Sequence, residues 1–162
     1  MKRRLITLVL TVVLLAAMAA APVSASAAKQ LKILKVVESG ARLRRGPSSS
    51  YDVIKSLSKD AKVFYAGKVK KSFAYVCTST GTRGYMYKGF LKDYGSCNKS
   101  QVYYVKKSTK AYKKASSSSS KVTTLGKKQH VIVFSVKGKW AYIKTMGGKG
   151  GYVKASLLKK AF

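Results

Sequence analysis

Three blocks of this sequence occur twice at one fixed separation. Phe73-Ala74-Tyr75-Val76 returns as Trp140-Ala141-Tyr142-Ile143, Gly84-Tyr85-Met86 as Gly151-Tyr152-Val153, and Phe90-Leu91 as Leu157-Leu158. Every pair is set apart by the same stretch of chain, the one that runs from Phe73 to Trp140. A common offset across separated blocks marks two copies of one small module, and such self-similarity has to be read before anything else. Each copy must then fold from little more than the repeat length, near the lower size limit for a self-sufficient core. Compact, turn-rich β architectures or tight bundles are the candidates at that size.

Positions 1–27 read as a segment outside the fold. Lys2, Arg3 and Arg4 are positive, Leu5 to Ala21 carries no charge, Pro22 ends the apolar run, and Ala25-Ser26-Ala27 is a small-x-small cleavage signal. That order is a secretory signal peptide. The alternative is a membrane anchor, but the run is barely long enough to span and is followed by small residues. The mature chain is expected to start at Ala28 and to be exported. It divides into a first module, 28–94, a polar linker, 95–101, and a second module, 102–162.

Within each module the apolar residues come in short runs. Lys62 to Ala66 and His130 to Phe134 are rich in β-branched and aromatic residues, as strands are. Phe73 to Cys77 and Trp140 to Lys144 follow turns containing Gly67 and Lys137-Gly138-Lys139, and Tyr85 and Tyr152 open further strands after glycine-rich breaks. Sustained helical periodicity is absent, so the chain is expected to be all-β. Strand alternation puts Ala74, Val76, Ala141 and Ile143 inward. Phe73, Tyr75 and Cys77 then share the other face, as do Trp140, Tyr142 and Lys144. In so small a module part of that row must stay accessible.

Lysine and arginine number 34 against 4 acidic residues, a net charge of +30, or +27 without Lys2, Arg3 and Arg4. Such a chain is drawn to polyanions. Arg42, Arg44, Arg45 and Arg83 are the only arginines after the signal peptide; the remaining excess is lysine. Lysine is a hydrated point charge rather than a bidentate fork, which predicts diffuse, salt-sensitive attraction. A basic surface serving only solubility is the alternative, but acidic residues serve solubility better.

The residues offer little for catalysis. A base, nucleophile or metal must converge within hydrogen-bond reach. The second module has His130 but no acidic side chain and no cysteine, so it cannot build a paired-carboxylate glycosidase site. The first has Glu38, Asp52, Asp60, Asp93 and Cys77 but no histidine. His130, just before a strand, reads as a surface or partly packed residue. One histidine and two well-spaced cysteines do not make a zinc site, and no cofactor motif is present. Gly147 to Gly151 lacks phosphate-loop spacing and reads as a hairpin turn. Cys77 and Cys97 could pair in an exported chain, or could be free. The Arg42-Leu43-Arg44-Arg45 cluster could clamp carboxylates or phosphates, or could be a solvated strand end.

Gly40-Ala41-Arg42-Leu43-Arg44-Arg45-Gly46-Pro47-Ser48-Ser49-Ser50-Tyr51, followed by Val53-Ile54 and Leu57, resembles the opening of bacterial SH3-like (SH3b) domains. Phe73 to Val76, Gly84-Tyr85-Met86 and Leu91 are similar to that family's closing strands. The second copy keeps the closing half in Trp140 to Ile143, Gly151-Tyr152-Val153 and Leu158. Its opening has drifted: Tyr112-Lys113-Lys114-Ala115-Ser116 stands where Leu43 to Pro47 stand, without Gly-Pro. The resemblance implies two tandem half-open β-barrels that bind cell-wall material in a bacterial, Gram-positive envelope. The candidate ligand-binding residues are Arg42, Arg44, Arg45, Tyr51 and Tyr85 in the first module. In the second module they are Lys113, Lys114, Trp140, Tyr142 and Tyr152. Aromatics would stack on sugars or peptides, while cations would hold stem-peptide carboxylates or teichoic phosphodiesters. For Tyr85 and Tyr152 core packing is the alternative. The chain is expected to act as a monomer, without cofactor or catalysis. Two other functions compete: a general binder of nucleic acid or sulfated glycan, and a protein ligand that modulates an envelope enzyme.

Overall fold

A computed structural model describes residues 29–162; the segment read as a signal peptide, 1–27, lies outside the described residues. The first module contains β1 (Gln30–Val36), β2 (Ala41–Arg44), β3 (Val53–Leu57), β4 (Lys62–Lys70), β5 (Phe73–Thr78), β6 (Arg83–Tyr87) and β7 (Leu91–Asn98). The second contains β8 (Val102–Val105), β9 (Thr109–Tyr112), β10 (Lys121–Leu125), β11 (His130–Lys137), β12 (Trp140–Thr145), β13 (Gly150–Lys154) and β14 (Leu158–Lys160). The sheet orders are β3-β2-β6-β5-β4-β1-β7 and β10-β9-β13-β12-β11-β8-β14, the same order strand for strand. Every pairing in both sheets is antiparallel.

Each sheet curls around its own core. In the first module Val36, Leu43, Leu57, Val63, Val76 and Met86, from six different strands, meet in one buried cluster. In the second, Val105, Ala111, Leu125, Val131, Ile143 and Val153 do the same. One cluster fed by six strands requires a strongly bent sheet, and the end strands of each sheet do not pair with each other. The all-β, two-barrel expectation therefore holds. Ala74, Val76, Ala141 and Ile143 all point inward, as strand alternation predicted.

The structural copies match more closely than a fixed spacing allows. Val36 and Val105 stand farther apart than the repeat offset, yet they make the same pair of backbone bonds. Val36 bonds to Ala61 and Asp60, and Val105 to Gln129 and Lys128. In the opening loops the separation shortens by one. Arg45 N–H donates to the Asp52 carbonyl at 3.0 Å, and Lys113 N–H to that of Ser120 at 2.9 Å. Tyr112 thus stands where Arg44 stands, not Leu43, one position off the alignment drawn from sequence. The second loop keeps its conformation without Gly-Pro because serine hydroxyls reproduce the internal bonds: Ser48 to Ser50 at 3.0 Å, Ser116 to Ser118 at 2.8 Å. The last slip, down to the repeat offset itself, falls in β4, which is 9 residues long against 8 in β11. A bulge between Tyr65 and Val69 absorbs the extra residue at Gly67. Gly67 is therefore not in the β4–β5 turn. That turn is made by Lys71 and Ser72, and Lys71 adopts φ 52° where the copy has Gly138 at φ 54°.

The segment read as a linker, 95–101, is part of the folded body. Residues 95–98 complete β7 and pair with β1, from Gln30 with Asn98 inward. Lys99–Gln101 forms one 3-10 turn, closed when the Gln101 side chain accepts from Asn98 N–H at 3.1 Å. Polar, small residues signalled a loop, but backbone pairing to β1 satisfies them as strand. A third apolar cluster then spans the junction. It joins Leu31, Ile33, Phe64, Cys77 and Cys97 to Val102, Ile132 and Met146. Ile33 and Val102 occupy equivalent positions of their sheets, as do Phe64 and Ile132.

Cys77 and Cys97 are free thiols, both buried at this junction. Two strands, β4 and β1, separate their strands in the sheet. Three inter-strand steps of about 4.8 Å exceed the Cα separation of about 7 Å that a disulfide tolerates. His130, read as a surface or partly packed residue, is buried because the first module covers it. Its N–H donates to the Ser79 carbonyl at 2.7 Å, its ring meets Phe64 edge-on at 6.0 Å, and Nδ1 has no hydrogen-bond partner.

These placements have two measurable outcomes. A left-handed conformation costs a non-glycine residue about 1–2 kcal/mol, and glycine's extra backbone freedom takes back about 0.5–1 kcal/mol, so Lys71→Gly is expected to stabilise by about 0.5–1 kcal/mol net, and Gly138→Lys to destabilise, in urea unfolding. Burial, reinforced by the Arg83 charge and opposed by the Ser79 carbonyl, pulls the His130 pKa below its usual 6.5. The unfolded chain then binds the proton more readily. Stability is full above pH 6.5 and falls as pH drops below it, levelling off once the folded pKa is passed. His130 is the chain's single histidine. Unfolding midpoints of the native chain should drop between pH 7 and pH 5 (roughly the range in which histidine titrates), and His130→Gln should flatten that drop. Equal slopes would refute the assignment.

Candidate functional site

The outward face of each sheet is organised by a glycine on its sixth strand. A Cβ on Gly84 would stand 2.7 Å from the Arg44 carbonyl, and one on Gly151 3.0 Å from that of Tyr112. The bare backbone lets β6 lie tightly against β2, and β13 against β9. The next residue, Tyr85, is thereby the cross-strand neighbour of both Arg44 and Tyr75. In the second module Tyr152 lies between Tyr112 and Tyr142. The ring centres are 4.9 Å apart for Tyr75 and Tyr85, and 5.2 Å for Tyr142 and Tyr152. All four rings are half-buried and lie outside the core clusters. Of the two readings open for Tyr85 and Tyr152, the structure takes the outward one.

Beside this pair the first module has a groove of about 620 Å³. Phe73, Tyr87 and Phe90 line it, with edge-to-face contacts at 5.9 and 5.4 Å, and Arg42 and Arg44 line it too. Alternation along β2 sends both arginines outward while Ala41 and Leu43 enter the core. Arg44 also braces the chain locally, since its Nη1 donates to the Tyr51 carbonyl at 2.7 Å and pins the 45–52 loop. Arg45 leaves the groove and faces Asp52 at 3.9 Å, both well exposed. Tyr51 packs its ring over Gly46 yet stays 49% exposed. The arginine cluster therefore splits, with two members in the groove and one on the loop.

In the second module Trp140 stands where Phe73 stands, with its ring edge-on to Tyr112 at 5.9 Å. Tyr142 touches Phe134 as well, at 6.4 Å, and Lys144 Nζ lies 5.6 Å over Phe134. Lys113 and Lys114 follow Tyr112 into the loop and face solvent. Six of the predicted residues are thus brought together in two places, around Tyr85 with Arg42 and Arg44 and around Tyr152 with Tyr142 and Trp140, while Arg45, Tyr51, Lys113 and Lys114 stay on the loops. Sequence reasoning passed over Tyr87, Phe90, Tyr112 and Phe134 as site residues. Continuing the alternation outward from Tyr85 would have found Tyr87.

Flat rings beside fixed cations can stack on a sugar or peptide plane while pairing with an acid. The thiols add no nucleophile to this face, because burial raises the pKa of both Cys77 and Cys97 and keeps them neutral. Among the described residues no group of three or more His, Cys, Asp or Glu could hold a metal ion.

No protein-family model matches the chain, and no curated protein does. Among solved structures, NlpC2 from Trichomonas vaginalis aligns with 80% of this chain and 48% of its own length, at 16% identity and a TM-score of 0.35. NlpC1 from the same organism aligns with 80% of this chain and 45% of its own, at 18% identity and a TM-score of 0.35. The chain spans less than half the length of either structure.

Proposed function

We propose that this chain is an exported, non-catalytic binder of bacterial cell-wall polymer, peptidoglycan or a teichoic polymer, made of two modules of the bacterial SH3-like kind. The observation that carries the reading is the repetition of one outward face. Both modules present a cross-strand tyrosine pair flanked by basic residues, on a chain of net charge +27 after its signal peptide. A polymer with regularly spaced sugars and acids engages two such faces at once, and the second contact is then intramolecular. The opening and closing motifs support the family reading, and the identical strand order of the two sheets supports a shared ancestry of the modules. Lysines would supply long-range attraction, and the rings would supply contacts that salt does not screen.

Binding to purified sacculi over a salt series tests this. Log affinity should fall nearly linearly with log salt, as counterions are released. Arg42→Gln should reduce that slope by about one. Trp140→Ala combined with Tyr142→Ala should leave the slope and weaken the salt-resistant part by about thirtyfold or more, at about 1–3 kcal/mol per lost stack, with circular dichroism confirming that the fold survives. If binding disappears at moderate salt and the aromatic variant binds like the native chain, the chain is a plain polyanion binder. Single-stranded DNA would then compete as well as soluble wall fragments.

A further inference from the structure

A second concavity lies away from the arginine groove, where the first module's outer face meets the last residue of the second. It encloses about 520 Å³, within the range of about 300–1,000 Å³ that small organic ligands occupy. Its walls are apolar and aromatic, chiefly Leu31, Phe64, Tyr75 and Phe162, with the neutral Cys77 thiol among them. Its charged side chains are of one sign. Lys29, Lys32, Arg83 and Lys99 line it, and no Asp or Glu does. Lys32 is engaged by Asp93 at 3.3 Å. Lys29, Arg83 and Lys99 take no part in the ion pairs of the described residues.

Two of these cations converge on one ring. The Arg83 guanidinium lies 5.8 Å from the Phe162 ring centre, and Lys99 Nζ 5.3 Å from it. Like charges gathered beside a dry wall repel, and the ring quadrupole offsets only part of that repulsion. A negative group placed between them would relieve it in a setting screened less than open surface. We propose that this cleft binds a small amphiphilic organic anion, one negative group on an apolar body, with the body against Phe64 and Phe162 and the anion between Arg83 and Lys99. The cleft shares its Tyr75 wall with the polymer-binding face proposed above, but its anion-holding groups, Arg83 and Lys99, lie outside that face, and the proposal does not rest on that reading.

The test uses the whole chain from Ala28 to Phe162 and the fluorescent anion 8-anilinonaphthalene-1-sulfonate. Saturable one-to-one binding is expected, displaced by dodecanoate but not by dodecyltrimethylammonium or dodecanol. Arg83 is exposed, and Arg83→Gln should weaken binding about tenfold, as loss of one charged contact does. Ala66 lines the cleft from an exposed position, and Ala66→Trp should fill it and abolish binding. Both variants should keep the native unfolding midpoint and native binding to sacculi. Unsaturable binding, displacement by the cationic amphiphile, or native affinity in both variants would overturn the proposal. Loss of sacculus binding alongside loss of the dye would overturn its separateness from the polymer site.

Discussion

Phe64 and the apolar residues around it hold together two halves that electrostatics pushes apart. The whole chain carries a net charge of +30, and its three ion pairs among the described residues are exposed. Pairs of that kind contribute about 0–1 kcal/mol each. Each large apolar side chain removed from water contributes about 1.5–3 kcal/mol, so the buried junction outweighs them. Its position also fixes what the surface can offer. The same packing buries His130, presents Phe162 to the cleft, and leaves both tyrosine pairs free on the outside.

The barrel interiors were legible from sequence because each obeys a two-residue period. Ala74 and Val76, or Ala141 and Ile143, alternate with larger outward residues, and burial on one face is all that such a period encodes. The junction was not legible for the same reason. Phe64 and Cys77 lie on outward faces, where period alone cannot distinguish a residue that meets solvent from one that meets a second module. Comparing the copies holds the missing signal: Cys77 faces the junction where its counterpart Lys144 faces water. His130 followed Phe64 into the interior, and the polar run 95–98 became strand because β1 offered it a free edge.

At the candidate site the tyrosine pairs could be read directly, since they repeat at the offset that defines the modules. The fate of the arginines could not. Arg42, Arg44 and Arg45 look alike in a row of residues, yet one lines a groove, one also pins a loop by a backbone contact, and one pairs with Asp52 on the loop. Only the register of β2 against β6 separates them. The one-residue slips between the copies hid Tyr112 in the same way, by assigning it to a core position that Ala111 fills.

The junction draws on overlapping patches of the two modules, with Ile33 and Phe64 on one side and Val102 and Ile132 on the other. The patches are not copies throughout, since Cys77 enters the contact where its counterpart Lys144 stays in water. The repeat is thus regular in its barrels and asymmetric at its seam, so the two modules are not interchangeable in their order along the chain.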